Sequence, residues 1–212
     1  MRHIMVLNPK GGCGKSTIAT NLASYFALQG ARVALADYDS QRSSLDWLDR
    51  RPSDRPEITG IAGFDEGMKH VPRNADVVVV DAPARVHGKE LTGLLHHAET
   101  ILVPVLPSTI DMQATAKFID ELKATPTAKN RKVKVAVLAN RVREGTLIFD
   151  ELDAFLNNLK VPYVATLREA QNYIRAYTRG LGVHELPDYL SWPDLAEWGP
   201  LIDWLESRGS RP

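Results

Sequence analysis

The sequence predicts an α/β fold: a single doubly wound, mainly parallel β-sheet with helices on both faces. Three observations predict it. Short aliphatic runs recur along the 212 residues, and segments with apolar residues at helical spacing stand between them. The run Val77-Val78-Val79-Val80 places four β-branched residues in succession, which suits a strand buried on both faces of a parallel sheet. The first aliphatic run passes through a glycine-rich turn straight into a helical pattern, the opening of a β-α-β unit.

In chain order, His3 to Leu7 reads as a buried strand, and Ile18 to Ala27 as a helix that Gly30 caps. Arg32 to Asp37 is a second strand, followed by a short amphipathic helix, Leu45 to Leu48. The stretch Arg51 to Asn74 is polar and punctuated by Pro and Gly, with a short strand at Ile58 to Ile61. Val77 to Asp81, Thr100 to Leu106 and Val133 to Ala139 are further buried strands. Helices are expected at Asp111–Ala124 and Leu147–Leu159, and Pro162 to Thr166 supplies the last strand. About seven strands result. Residues 1–208 read as one domain and 209–212 as a disordered tail.

Composition narrows the function classes. Apolar content of 44% and charged content of 25% are those of a globular domain. No apolar run approaches the ~18 residues of a membrane span. The N-terminus enters a strand at once, which leaves no signal peptide and no preceding helix-turn-helix module, so the expected location is cytoplasmic. Cys13 is the only cysteine, which excludes an internal disulfide framework and a CxxC metal site. His96 and His97 would splay apart on a helix and are assigned no metal.

The chemistry concentrates in Asn8 to Thr17, N-P-K-G-G-C-G-K-S-T. Gly11, Gly12 and Gly14 permit positive φ and close approach of backbone to a ligand. The amides of the following helical turn point at an anion, aided by the helix dipole. Lys15 would reach the β/γ-phosphates of a nucleotide, and the Ser16 hydroxyl would join a Mg²⁺ shell. Ligands in such sheets bind at the carboxyl ends of strands, where Asp37, Asp39 and Asp81 also fall. Asp81, closing an apolar strand, has the form of an acid that holds Mg²⁺ directly or through water.

The loop departs from G-x-x-x-x-G-K-[ST], because Pro9 stands where the first glycine belongs and a second lysine, Lys10, enters the loop. This resembles the deviant Walker A motif, K-G-G-x-G-K-[ST], of the ParA/MinD group of P-loop ATPases. Asp37-Tyr38-Asp39-Ser40-Gln41 resembles the family's D-x-D-P-Q switch, with Ser40 in place of proline. Asp81-Ala82-Pro83-Ala84 resembles its D-x-P-A segment, and Ala139-Asn140-Arg141 its strand-end asparagine. The likeness runs from His3 to about Leu186.

The resemblance implies ATP and Mg²⁺ as cofactors and slow, partner-stimulated hydrolysis. Nucleotide contacts would come from Lys10, Gly11, Gly12, Cys13, Gly14, Lys15, Ser16 and Thr17, and from Asn140 and Arg141 at the adenine. Ser16, Asp39 and Asp81 would serve the metal, and Lys10, Lys15 and Asp39 the chemistry. Asp39 would orient the attacking water, and Lys10 would reach across a homodimer to the partner's ATP, acting like an arginine finger. A [4Fe–4S] cluster, found between subunits of iron-protein relatives, needs two cysteines per chain and is excluded here.

Net charge is zero, but residues 112–181 hold 12 Lys+Arg against 7 Asp+Glu, and residues 182–212 hold 2 against 6. Arg168, Arg175 and Arg179, with part of the cluster Lys129, Arg131, Lys132 and Lys134, form a candidate patch for non-specific DNA. Arg175 and Arg179, four apart, would share a helix face. The C-terminal segment around Trp192, Trp198 and Trp204 is amphipathic. Its polar face carries Asp194, Glu197, Asp203 and Glu206, which an anionic membrane would repel. It is expected to dock on the sheet or on a partner. The whole reads as a dimerising, nucleoid-associated ATPase that partitions or positions a cargo, with a small adaptor protein stimulating it. The cargo would be a plasmid, a chromosome region, or a compartment such as a carboxysome or chemoreceptor cluster. A MinD-like membrane ATPase is the alternative.

Overall fold

A computed structural model describes residues 1–130 and 132–212 of the chain. β1 (Arg2–Val6) leads through the glycine turn into α1 (Lys15–Leu28), and β2 (Val33–Asp37) into α2 (Ser43–Leu48). β3 (Ile58–Ala62) is followed by the single turn α3 (Gly63–Glu66), and β4 (Val77–Asp81) by α4 (Gly88–Leu95). β5 (Thr100–Val105) leads into α5 (Thr109–Ala124) and α6 (Pro126–Asn130). β6 (Lys134–Val142) leads into α7 (Leu147–Asn158), and β7 (Tyr163–Arg168) into α8 (Gln171–Tyr177) and then α9 (Asp188–Glu206).

The strands form one seven-stranded sheet in the order β3-β2-β4-β1-β5-β6-β7, and every pairing is parallel. Alternation along the central strand explains the two-faced core. Ile4 and Val6 enter the cluster under α1, α2 and α9, while Met5 and Leu7 enter the one under α4, α5 and α7. Burying each such side chain contributes about 1.5–3 kcal/mol. Strand order changes direction at β1, which opens a crevice above its carboxyl end.

The C-terminal helix docks on the sheet. Trp198, Leu201, Ile202 and Leu205 of α9 are buried, and Trp198 Nε1 donates to the Tyr173 hydroxyl at 3.0 Å. Within the tail expected to be disordered, 209–212, the contacts reach as far as Ser210. Arg208–Ser210 form a 3₁₀ turn and Ser210 is fully buried. The Ser210 hydroxyl accepts from Arg2 Nη2 at 2.7 Å, and its carbonyl accepts from Thr100 Oγ1 at 2.6 Å. Local composition cannot reveal such partners at the far end of the chain.

Candidate functional site

Gly12 and Gly14 hold φ of 77° and 90° in the turn after β1, the left-handed region that favours glycine. At Gly14 a side chain meets a second obstacle: a Cβ there would crowd Asn140 Nδ2, which is held on Cys13 O. The turn is braced from below. Asn8 Oδ1 accepts from Lys10 N at 2.9 Å while its Nδ2 donates to Pro104 O at 2.7 Å. Asn140 Nδ2 donates to Cys13 O at 2.7 Å. Cys13 itself is buried, with its thiol 3.3 Å from Lys10 O, and burial pushes the thiol pKa up. Its contribution to a ligand is therefore through backbone.

Helix α1 starts with no acidic residue in its first turn and no side-chain cap. Its hydrogen bonding begins with Ile18 N to Gly14 O at 3.0 Å, so the amides of Lys15, Ser16 and Thr17 precede the first intrahelical bond. An anion at this end meets those donors and the positive end of the dipole. Lys15 is buried, and its ammonium folds back onto Lys10 O at 3.1 Å. The Lys10 ammonium has no hydrogen bond or ion pair among the described residues, and the residue is half-buried at the loop's outer edge.

The loop forms one wall of a cleft of about 1360 Å³. Gly11, Gly12, Gly14, Lys15, Ser16, Thr17, Asp39, Asn140, Arg141 and Arg168 all line it, as do Tyr38, Phe64, His97 and Glu169. Parallel pairing of β2 with β4 sets Asp37 directly beside Asp81. Asp37 is spent on structure: it accepts from Asp39 N at 2.9 Å, Ser44 N at 2.9 Å and Leu45 N at 3.2 Å, shaping the turn that displays Asp39. Among the described residues the Asp39 carboxylate accepts only from Gln41 N, at 3.0 Å, and it stays at the cleft surface. Burial raises the Asp37 pKa against those three amides.

Asp81 lies beneath the cleft, 1% exposed. Its Oδ2 accepts from Ser44 Oγ at 2.6 Å, and its Oδ1 is buried near the Ser16 hydroxyl with no hydrogen-bond partner within reach among the described residues. Burial pushes its pKa up to about 7, opposed by the hydroxyls of Ser44 and Ser16 and by Lys15, and assisted by Asp37. An orphaned buried carboxylate oxygen beside a serine hydroxyl fits Mg²⁺, which prefers oxygen ligands and keeps several of its own waters. Among the described residues no group of three or more His, Cys, Asp or Glu is placed to hold a metal alone. A metal here would therefore take most of its shell from nucleotide and water.

The basic residues are placed differently from expectation. Arg168 does not stand as a free cation: it is 2.9 Å from the fully buried Asp194, approaches Glu197 at 3.8 Å, and its amide donates to Glu197 Oε2 at 2.9 Å. Asp194 and Glu197 were expected on the exposed face of α9, and they turn inward to meet it. Arg141 and Arg143 pair with Glu169 at 2.8 and 2.6 Å and hold its carboxyl below the usual carboxylate range. Arg175 is exposed on α8, 3.4 Å from Asn172 Oδ1. Helix α8 ends at Tyr177, so exposed Arg179 belongs to the following turn and shares no helix face with Arg175. Lys134 opens β6 while Val142 at its end pairs with Arg168, so the lysine cluster sits at the opposite end of the sheet. The single patch is thus divided, and Arg131 lies outside the described residues.

Sequence reasoning passed over Ser44, and also the buried pair Arg51–Glu185 at 2.8 Å, whose guanidinium lies over the Trp47 ring. Tyr177 OH donates to Ser43 O at 2.8 Å and so ties α8 to the start of α2, just after the turn bearing Asp39.

A family model described as the CobQ/CobB/MinD/ParA nucleotide binding domain matches residues 4–183. The chain is 30% identical over 189 residues to maintenance of carboxysome distribution protein A of Halothiobacillus neapolitanus, covering 86% of this chain and 87% of that one. Two solved structures of Cyanothece McdA share the fold. The apo form has a TM-score of 0.76 at 16% identity, with 97% of this chain and 99% of that one covered. An ATP complex has a TM-score of 0.73 at 15% identity, with 100% and 98% covered.

Proposed function

This chain belongs to the CobQ/CobB/MinD/ParA nucleotide-binding family, and from that premise we propose that it is a Mg²⁺- and ATP-dependent positioning ATPase that works as a homodimer on non-specific DNA. The observation that carries the reading is the cleft at the end of β1. Free helix-terminal amides, a buried Lys15, the orphaned Asp81 oxygen and surface Asp39 converge there, and Lys10 stands beside it with no cis partner. Lys15 and the amides from Gly11 to Thr17 bind phosphate oxygens; Ser16 and Asp81 hold the metal's shell; Asp39 orients water. Bound Mg²⁺ neutralises charge on the phosphates. Asn140 and Arg141 line the same cleft at the adenine side, Asn140 with one amide proton already given to Cys13. Lys10 supplies its charge to the partner's nucleotide, so that ATP drives dimerisation and hydrolysis reverses it.

Arg175 and Arg179 remain as the exposed cations for DNA, doubled in the dimer. The match to a carboxysome distribution protein favours a protein compartment as cargo, reached through a small adaptor that stimulates hydrolysis. No helix among the described residues is long and apolar enough to cross a membrane, and α9 spends its apolar face on the core. The test is an electrophoretic shift with two unrelated duplexes, with ATP or ADP, over a salt series. Binding should require ATP, ignore sequence, and fall with a log–log salt slope of about −5 if about six phosphates are neutralised. Joint replacement Arg175→Glu and Arg179→Glu should abolish it while ATP-driven dimerisation persists. Binding indifferent to nucleotide, or retained in the double variant, would overturn the DNA part of the reading.

A further inference from the structure

Ser44 stands where the two acid-bearing strands meet. It is fully buried and is the second residue of α2. Its amide donates to Asp37 Oδ2 at 2.9 Å and its hydroxyl to Asp81 Oδ2 at 2.6 Å. Because Asp37 and Asp81 are register partners on adjacent strands, one residue fastens both carboxylates from the same side. A hydroxyl has a single proton to donate, so it can hold only one oxygen of Asp81. The result is an asymmetric carboxylate, with Oδ2 occupied and Oδ1 buried without a hydrogen-bond partner among the described residues.

We propose that Ser44 is a positioning residue for Mg²⁺: by clamping Asp81 Oδ2, it presents Oδ1 to the metal's shell beside Ser16. The proposal rests on the reading of the cleft as a Mg²⁺–nucleotide site. Without the clamp, Asp81 would be free to rotate and satisfy its orphaned oxygen elsewhere, because a buried acceptor without a partner is unfavourable. The same residue lies in the first turn of the helix that follows the Asp39 turn, and Tyr177 holds its neighbour Ser43. Metal position and the water-orienting acid are therefore fixed by one short segment, Asp37 to Ser44.

The test is titration of a fluorescent ATP analogue, once with Mg²⁺ and once with EDTA, into parent, Ser44→Ala, Ser44→Thr, Asp81→Asn and the Ser44→Ala/Asp81→Asn double variant. Ser44→Ala should keep its EDTA affinity within about twofold and lose about tenfold of the tightening that Mg²⁺ gives, the scale of one hydrogen bond to a charged group. Ser44→Thr, which restores a donor, should recover most of that tightening. In the Asp81→Asn background, removing Ser44 should change nothing further, since it acts through Asp81. If Ser44→Ala fails to fold, Ser44→Cys, of similar size but a weak donor, carries the same expectation. Undiminished Mg²⁺ tightening in Ser44→Ala, equal losses with and without Mg²⁺, or additive losses in the double variant would each overturn the proposal. A parent protein that binds no analogue even with Mg²⁺ would instead overturn the nucleotide-site reading, and this inference with it.

Discussion

Two regions at the carboxyl end of the sheet carry clusters of charged side chains, and they use them in opposite ways. At the β1–β2–β4 end, Asp37 is satisfied by three amides, while among the described residues the Asp81 Oδ1 has no hydrogen-bond partner and the Lys10 ammonium no hydrogen bond or ion pair. At the β6–β7 end, Arg141, Arg143 and Arg168 are matched by Glu169, Asp194 and Glu197. The first region is built to receive charge and the second to neutralise its own. A count of cations along the chain does not separate the two, whereas the pairing does.

The comparison is sharpened most by Asp39, the one switch acid left at the cleft surface. Asp39→Ala should bind ATP normally yet lose turnover by ~10²–10⁴, the range for a positioned base. Single-turnover assay checks this, and hydrolysis at the parent rate would remove Asp39 from the chemistry.

At the other end, Arg168→Ala should act on stability. It leaves the fully buried Asp194 with only Asn172, which donates at 2.6 Å. Breaking a fully buried pair costs about 3–5 kcal/mol, and the partial solvation of Arg168 reduces this to about 2–3 kcal/mol. Arg175→Ala and Arg179→Ala, both exposed, should each stay within about 0.5 kcal/mol. Urea denaturation of the three variants decides it. Equal, small effects would mean that Arg168 is as available to a ligand as the other two.

An effect smaller than that of Arg168→Ala concerns pH. The Asp81 pKa is raised in the nucleotide-free fold, to about 7, so its protonated form favours folding. The stability it contributes is full below the unfolded value and is lost as pH rises from about 4 through about 7. Asp81→Asn should remove that loss, so its stability relative to the parent should grow across this window. The gain should be on the order of 1 kcal/mol, because neighbouring Asp37 takes up part of the proton binding. Melts at pH 5 and pH 8 in EDTA measure it, and a constant difference would show that Asp81 is not the titrating group.

How much was legible follows the same division. The strands were readable because burial on both faces demands aliphatic runs, and Val77 to Val80 allow no other reading. The phosphate loop was readable because the required φ values at Gly12 and Gly14 restrict the residue choice locally. Helix α4, Gly88–Leu95, left little trace, being eight residues long and flanked by polar, glycine-bearing sequence. The pairs Arg168–Asp194 and Arg51–Glu185 left none, since ion pairing across 26 and 134 residues has no local pattern. Ser44 looked like an ordinary helix-start serine. Only the register of β2 on β4 reveals that its hydroxyl meets Asp81.

The central claim is that the cleft acts through a second subunit, and Lys10 tests it most directly. Light scattering should be measured on the parent and on Lys10→Ala, each with ATP and with ADP. The account predicts a dimer for the parent with ATP alone, and a Lys10→Ala protein that binds ATP but remains monomeric. A normal ATP-dependent dimer in Lys10→Ala, or a parent whose mass is the same with either nucleotide, would contradict it.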